Sequence, residues 1–331
     1  MMDNKKLKWK FYEKRSKFRE FYFHKVLRRH IFEKYFNMDP YIPIYGNHLV
    51  MGKRKTNHQI ADMIKAGTPF MVARFGNTEL SVMTSVLKRR LFGSTPETDA
   101  RFCEWFQNLQ MLSGFFPNCQ ELAEDFTDLM LESSSNVDII AMFHCHLDDY
   151  IITEYMPKCK VTFLNHIEPW RCKEPWTAAL KGKKVLVIHP FEESIKSQYL
   201  KRELLFPNTD VLPEFELKTL KAVQTIAGEK DERFETWFDA LEYMYEQAIK
   251  IDFDVAIIGC GAYGLPLAAK LKNAGKQVIH MGGATQILFG IKGRRWVDNP
   301  RAGIVHNDAW VYPKESETPK NCKIVENHCY W

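Results

Sequence analysis

Arg74 and Glu79 flank Gly76 in ARFGNTEL, directly after an apolar run. An arginine at such a place can grip a phosphate through two parallel N–H donors. A carboxylate there can act as a base or hold a cation. Read for structure alone, the same stretch is a helix start, with Asn77 or Thr78 as its cap and Glu79 favouring the helix dipole. His189 follows the run in KVLVIHPFEESIKSQY. It could neutralise a phosphate, exchange a proton, or only hydrogen-bond its own turn. MFHCHLDDY alternates His144 and His146 ahead of Asp148 and Asp149. If the strand continued, the two imidazoles would share a face and could hold a divalent ion or line a pocket.

Glycines mark two further turns. In Gly259-Cys260-Gly261-Ala262-Tyr263-Gly264 the first two glycines permit a tight turn and close approach to a phosphate. Gly264 permits close helix packing, and the helix N-terminus attracts an anion. Gly275 suits the helix end. A dinucleotide fingerprint needs an acidic residue about 20 positions on, for the ribose hydroxyls. The corresponding stretch, VIHMGG, has none, so NAD is not expected. Another nucleotide, a sugar phosphate and a purely structural turn stay open. In MGGATQILFGIKGRRW, Gly282 and Gly283 allow close backbone approach and Gln286 offers an amide. Lys292, Arg294 and Arg295 form a small cationic cluster that could face diphosphate or water.

The elements that must position these residues can be read from the apolar pattern. Strands are predicted at 70–75, 137–143, 160–164, 184–188, 254–258 and 277–281. Most are continuously apolar, as strands covered on both faces are. Helices are predicted at 57–66, 79–90, 98–112, 119–132, 192–204, 215–226, 231–250 and 263–274. The order implies an α/β fold, a Rossmann-like, doubly wound, mostly parallel sheet with helices on both faces. Ligands of such sheets sit beyond the carboxyl ends of the strands, where the residues above fall.

Apolar residues make up 45% of the chain and charged residues 26%, which suits a globular protein with a full core. No run reaches the length of a membrane span, and the N-terminus lacks the apolar stretch of a cleaved leader. Eight cysteines without a CxxC pair suit a reducing cytosol. The net charge of +5 is unevenly placed. Residues 1–36 hold twelve Lys/Arg against four Asp/Glu, which leaves 34 basic and 37 acidic residues in the remainder. Trp9, Phe11, Tyr12, Phe18, Phe21, Tyr22, Phe23, Phe32, Tyr35 and Phe36 interleave with the basic residues of this segment. It reads as a helical arm and linker over 1–45, ahead of one domain over 46–331. The arm suits either an anionic membrane surface or a protein contact. Nucleic acid is not expected, because the near-neutral body has no second basic surface.

Together, ARFGNTEL, VLVIHPFEESIKSQY, DVAIIGCGAYGLPLAAKLKNAGK and GGATQILFGIKGRRW resemble the GT-D-type glycosyltransferase domain of bacterial capsule, lipopolysaccharide and surface-polysaccharide synthesis. The resemblance spans roughly residues 55–312. It implies a domain that binds a nucleoside-diphosphate sugar and transfers the sugar to a glycan or glycolipid acceptor, on the cytoplasmic side and peripheral to the membrane. It implies donor binding by Arg74, Gly76, Asn77, Gly259, Gly261, Tyr263, Gly264, Gly282, Gly283 and Gln286. Glu79 and His189 become the catalytic pair, with Glu79 also the ligand for any Mg²⁺ or Mn²⁺. The family's first motif is close to R-F-G-D-G-E, so Asn77 stands at its Asp and Thr78 at its second Gly. A neutral amide offers a hard cation only its carbonyl oxygen. A weaker metal site, a metal-independent transferase and a non-catalytic nucleotide-sugar or glycan-binding subunit therefore all stay open. An NAD(P)-binding enzyme is the more distant alternative.

Overall fold

The computed structural model describes residues 2–22, 42–298, 304, 306–322 and 329–331. The chain begins with helix α1 (Met2–Arg19), strands β1 (Ile44–Tyr45) and β2 (His48–Met51), α2 (Lys53–Ala66) and β3 (Phe70–Ala73). Next come α3 (Asn77–Phe92), α4 (Pro96–Ser113), α5 (Leu122–Ser135), β4 (Ile139–Met142), α6 (Asp148–Tyr155) and β5 (Lys160–Phe163). After these lie β6 (Lys184–His189), α7 (Glu192–Tyr199), α8 (Arg202–Leu205), β7 (Glu216–Lys221), α9 (Trp237–Ile249) and β8 (Val255–Ile258). The last elements are α10 (Gly264–Asn273), β9 (Gln277–His280), α11 (Ala284–Leu288) and α12 (Arg294–Val297).

The strands form one nine-stranded sheet in the order β1-β2-β5-β4-β3-β9-β8-β6-β7. Only the β1–β2 pairing is antiparallel. Every residue of β3, β4, β8 and β9 is buried. Alternate side chains serve two cores. Met71, Ala73, Ile140, Met142, Ala256 and Ile258 enter one, with α3, α4, α5, α9 and α10. Phe70, Val72, Ile139, Ala141, Val255 and Ile257 enter the other, with α2, α7 and α11. Two covered faces explain why these strands are apolar throughout. This is the doubly wound α/β fold expected from the sequence.

Local signals set the helix ends. Thr95 and Thr98 form a reciprocal capping box at the start of α4, with Pro96 in its first turn, and Gly114 ends the helix with φ 77°. Thr236 and Asp239 repeat the box at α9. The stretch 215–226, expected to be helical, is instead edge strand β7, parallel to β6. Its ELKTLK sequence is half exposed along its length, so it lacks the apolar run of a central strand. Strand β2 and helix α6 were also not anticipated.

Helix α1 packs on α3 and α6. Trp9, Tyr12, Ser16 and Arg19 recur at helical spacing and are buried. Trp9 meets Tyr150 edge-on at 4.9 Å, and the Tyr12 hydroxyl lies 3.1 Å from Thr153 Oγ1. The Arg19 guanidinium reaches Asp149 at 2.8 Å and Asp148 at 3.1 Å, and donates to the Cys145 carbonyl at 3.3 Å. Tyr45 also donates to Asp148. Burial raises the Asp148 carboxyl to about 6 even though Arg19 draws it down. The inner face of the arm is thus built into the body. Residues 23–41, with Phe23, Phe32, Tyr35 and Phe36, lie outside the described residues.

Candidate active site

The chain leaves β3 toward β4 on one side and leaves β6 toward β7 on the other. Between them, past the carboxyl ends of β3, β9, β8 and β6, opens a cleft of about 360 Å³. Such a reversal of connection direction is where ligands of open α/β sheets bind. Arg74, Gly76, Asn77, Glu79, His189, Gly259, Gly261, Tyr263, Gly282, Gly283 and Gln286 all line this cleft. Gly264 does not. It lies beneath, where an added Cβ would fall 2.1 Å from the His280 ring, so its role is close helix-to-sheet packing.

Arg74 and Glu79 carry the charge. The Arg74 guanidinium lies against the Phe143 ring, 4.9 Å from its centroid, and beside Gly282. Its Nε is buried without a hydrogen-bond partner. Glu79, in the first turn of α3, is 7% exposed. Its carboxylate folds over Gly76, where a Cβ would fall 1.7 Å from Oε2, which explains the glycine. Among the described residues neither group forms an ion pair. A sheltered cation and a sheltered anion without ion-pair partners are characteristic of a ligand site.

His189 is buried, and its Nδ1 accepts the Phe191 N–H at 3.0 Å. Burial drops its pKa to about 3. The ring is therefore neutral with its proton on Nε2. Of the roles open to it, the turn hydrogen bond is present, and it leaves Nε2–H as a donor. His280, not singled out from the sequence, also lines the cleft. Burial, and then Arg74, lower its pKa to about 3, and its Nδ1 donates to the Ile258 carbonyl at 3.3 Å.

These neutral histidines predict a pH response. His189 and His280 near 3, and His166 near 4, titrate below the 6.5 of an unfolded imidazole. Their stabilising contribution is complete above about pH 6.5 and is lost as pH falls. Asp148 has the opposite sign, with about 6 folded against 3.8 unfolded, so the folded state takes up its proton first. Burial lowers His48, His146 and His306 in the same direction, against a raised Glu168 as well as Asp148, so unfolding free energy should fall as pH drops from 7 toward 5. Urea midpoints at pH 7, 6 and 5 measure this, and a midpoint that rose toward pH 5 would contradict the neutral-imidazole assignment.

Two of the lining residues are also held by partners within the protein. The Tyr263 ring stacks on Trp237 at 4.7 Å within the core, and its hydroxyl meets Thr225 at 3.2 Å. Gln286 is fully buried, and its amide N–H group holds the carbonyls of Ile291, Lys292 and Tyr330. It ties the chain around the cleft, with only Oε1 left unpartnered. His144 and His146 share no strand face, because β4 ends at Met142 and His144 has φ 66°. Asp148 and Asp149 open α6 and face Arg19. Of the cationic cluster, Arg295 alone lines the cleft, 3.2 Å from the Tyr330 hydroxyl. Trp105, Thr225, Tyr330 and Trp331 join the wall from distant segments.

Glu79 is the one acidic side chain among the residues lining the cleft. No group of three His, Cys, Asp or Glu positioned for an ion occurs among the described residues. A second cavity, of about 580 Å³, adjoins the cleft and shares Asn77, Trp105 and Phe143 with it. Helix α1 forms its far wall through Trp9, Glu13, Ser16 and Lys17.

No protein-family model and no curated protein matches this chain. Two solved structures are similar to it, each over 80% of this chain and 96% of the other, with a TM-score of 0.38. One, at 13% identity, is described as "The highly conserved domain of unknown function 1792 has a distinct glycosyltransferase fold". The other, at 12% identity, is the selenomethionine-substituted structure of domain of unknown function 1792.

Proposed function

We propose that this chain is a glycosyltransferase that moves a sugar from a nucleoside-diphosphate donor to a glycan acceptor. One observation carries the reading. Unpaired Arg74 and Glu79, the His189 Nε2–H donor and two glycine turns, all from separate segments, meet in one cleft. The Gly259–Gly261 turn cradles phosphate, and Arg74, with Arg295 also on the cleft wall, balances its charge. Transfer forms a C–O bond between the acceptor oxygen and the anomeric carbon and breaks the anomeric C–O bond to the diphosphate. The diphosphate leaves with the electron pair, and the acceptor's proton goes to Glu79. With one acidic side chain in the cleft, charge neutralisation is assigned to the arginines rather than to an ion. The acceptor occupies the adjoining cavity beyond Asn77. A lipid-linked acceptor at the cytoplasmic membrane face, in surface-polysaccharide assembly, is the setting this reading carries with it.

Asn77 favours a second reading, a nucleotide-sugar or glycan-binding subunit without turnover. It lies at the junction of the two cavities, where the resembled motif has an acid. Thermal-shift titration with UDP, GDP, CMP, dTDP and NADH, each with Mn²⁺, Mg²⁺ or EDTA, tests the donor site. One nucleoside diphosphate should add about 2.7 kcal/mol at 100 times its dissociation constant, and keep that gain in EDTA. A gain that vanished in EDTA would overturn the arginine assignment. No gain with any nucleotide would overturn the transferase reading.

A further inference from the structure

Helix α1 has two apolar faces, and among the described residues only one is packed against the body. On a helix of about 3.6 residues per turn, Leu7, Phe11, Lys14 and Phe18 fall on a single stripe, opposite the buried Trp9, Tyr12, Ser16 and Arg19. Phe21 and Tyr22 extend it. The stripe is bare: Leu7 is 69% exposed, Phe11 60%, Phe18 66% and Phe21 62%. Phe18 and Tyr22 stack on each other at 5.4 Å, forming a continuous aromatic surface. Lys14 lies on it and Lys10 at its edge, 5.8 Å from the Phe92 ring, while of the acids on α1, Glu13 is already engaged by Lys88 at 2.9 Å. An exposed apolar patch of this kind marks a docking surface.

We infer that this outer face docks on a bilayer bearing anionic headgroups. Charge decides between the occupants. A second copy meeting this face across a two-fold axis would bring the lysines of both chains together. An anionic bilayer accepts the aromatic rings at the headgroup boundary and is attracted by the lysines. Among the described residues no helix is long and apolar enough to cross a membrane, so the attachment is peripheral. Because Arg19 and Trp9 bind the other side of α1 into the body, docking orients the whole molecule. The cavity walled by α1 then lies beside the headgroups.

Sedimentation of the full chain with phosphatidylcholine vesicles, with and without phosphatidylglycerol, tests the inference. The chain should pellet with the anionic vesicles and stay in solution with the neutral ones. Phe11→Ser with Phe18→Ser should reduce anionic-vesicle partition roughly tenfold or more, and Lys14→Glu should also weaken it. Both substitutions lie on exposed positions, so an unchanged melting temperature separates lost docking from lost folding. Three outcomes would overturn the inference: no pelleting of the unaltered chain, equal pelleting of the Phe11/Phe18 variant, or an oligomer of the unaltered chain that this variant disperses without any vesicle binding.

Discussion

Glu79→Gln is expected to lower sugar transfer by about 10²–10⁴-fold, the usual contribution of a positioned acid–base group. Donor affinity should stay nearly unchanged. The separation follows from the geometry. Glu79 is held by the first turn of α3 and by its fit over Gly76, and it forms no ion pair whose loss would disturb the fold. Glutamine keeps the shape and removes the charge, so proton acceptance is the property lost. Single-turnover transfer and nucleoside-diphosphate binding, measured on the same preparation, decide the matter. Transfer at the original rate would remove Glu79 as the base. A parallel fall in binding would make it a donor-holding group instead. Replacing Arg74, one of the two arginines lining the cleft, should instead weaken binding first, which distinguishes the two roles.

Arg19→Met should destabilise the protein by about 3–5 kcal/mol, the range for removing one partner of a buried ion pair. The arginine faces two aspartates, of which Asp149 is fully buried and Asp148 nearly so. Without it they stand close together, with Arg15 at 3.6 Å from Asp149 as the remaining cation. Methionine retains much of the packing over the Tyr45 ring, which the guanidinium approaches at 4.5 Å. The loss is therefore mainly electrostatic. Adding Asp148→Asn and Asp149→Asn to Arg19→Met should recover much of it, since no uncompensated charge is then buried. Denaturant midpoints for the single and triple variants measure the difference. If Arg19→Met left the midpoint unchanged but exposed residues 2–22 to proteolysis, α1 would be a dispensable strap rather than part of the core.

The sequence by itself determined the six strands β3, β4, β5, β6, β8 and β9 but not the outer strands β1, β2 and β7. Continuous apolar runs such as DVAII and KVLVI encode strands covered on both faces, and that pattern is local. The residues just after each run must then lie at the carboxyl edge, so Arg74, Glu79, His189, Gly259 and Gly282 could be grouped before any contact was known. Glycines were legible for a related reason. Gly261 and Gly282 have φ near +60°, and Gly76 and Gly264 leave room for one particular neighbour, so the residue type itself records the constraint.

Only the tertiary structure decided what state and duty each side chain has. His189 is neutral because burial and the Phe191 N–H act on it together. Tyr263 turns to Trp237, and Gln286 holds carbonyls at 291, 292 and 330, through partners far away in the chain. Trp105 and Thr225 reach the cleft from segments whose sequence carries no matching signal. The basic aromatic arm shows the division most clearly. Its composition pointed to surface contact, yet Arg19 lodges between Asp148 and Asp149, 130 residues away in sequence. Hydrophobic periodicity reports which side of an element is covered. Charge partners and desolvation depend on what covers it, and that is settled only when the distant segments meet.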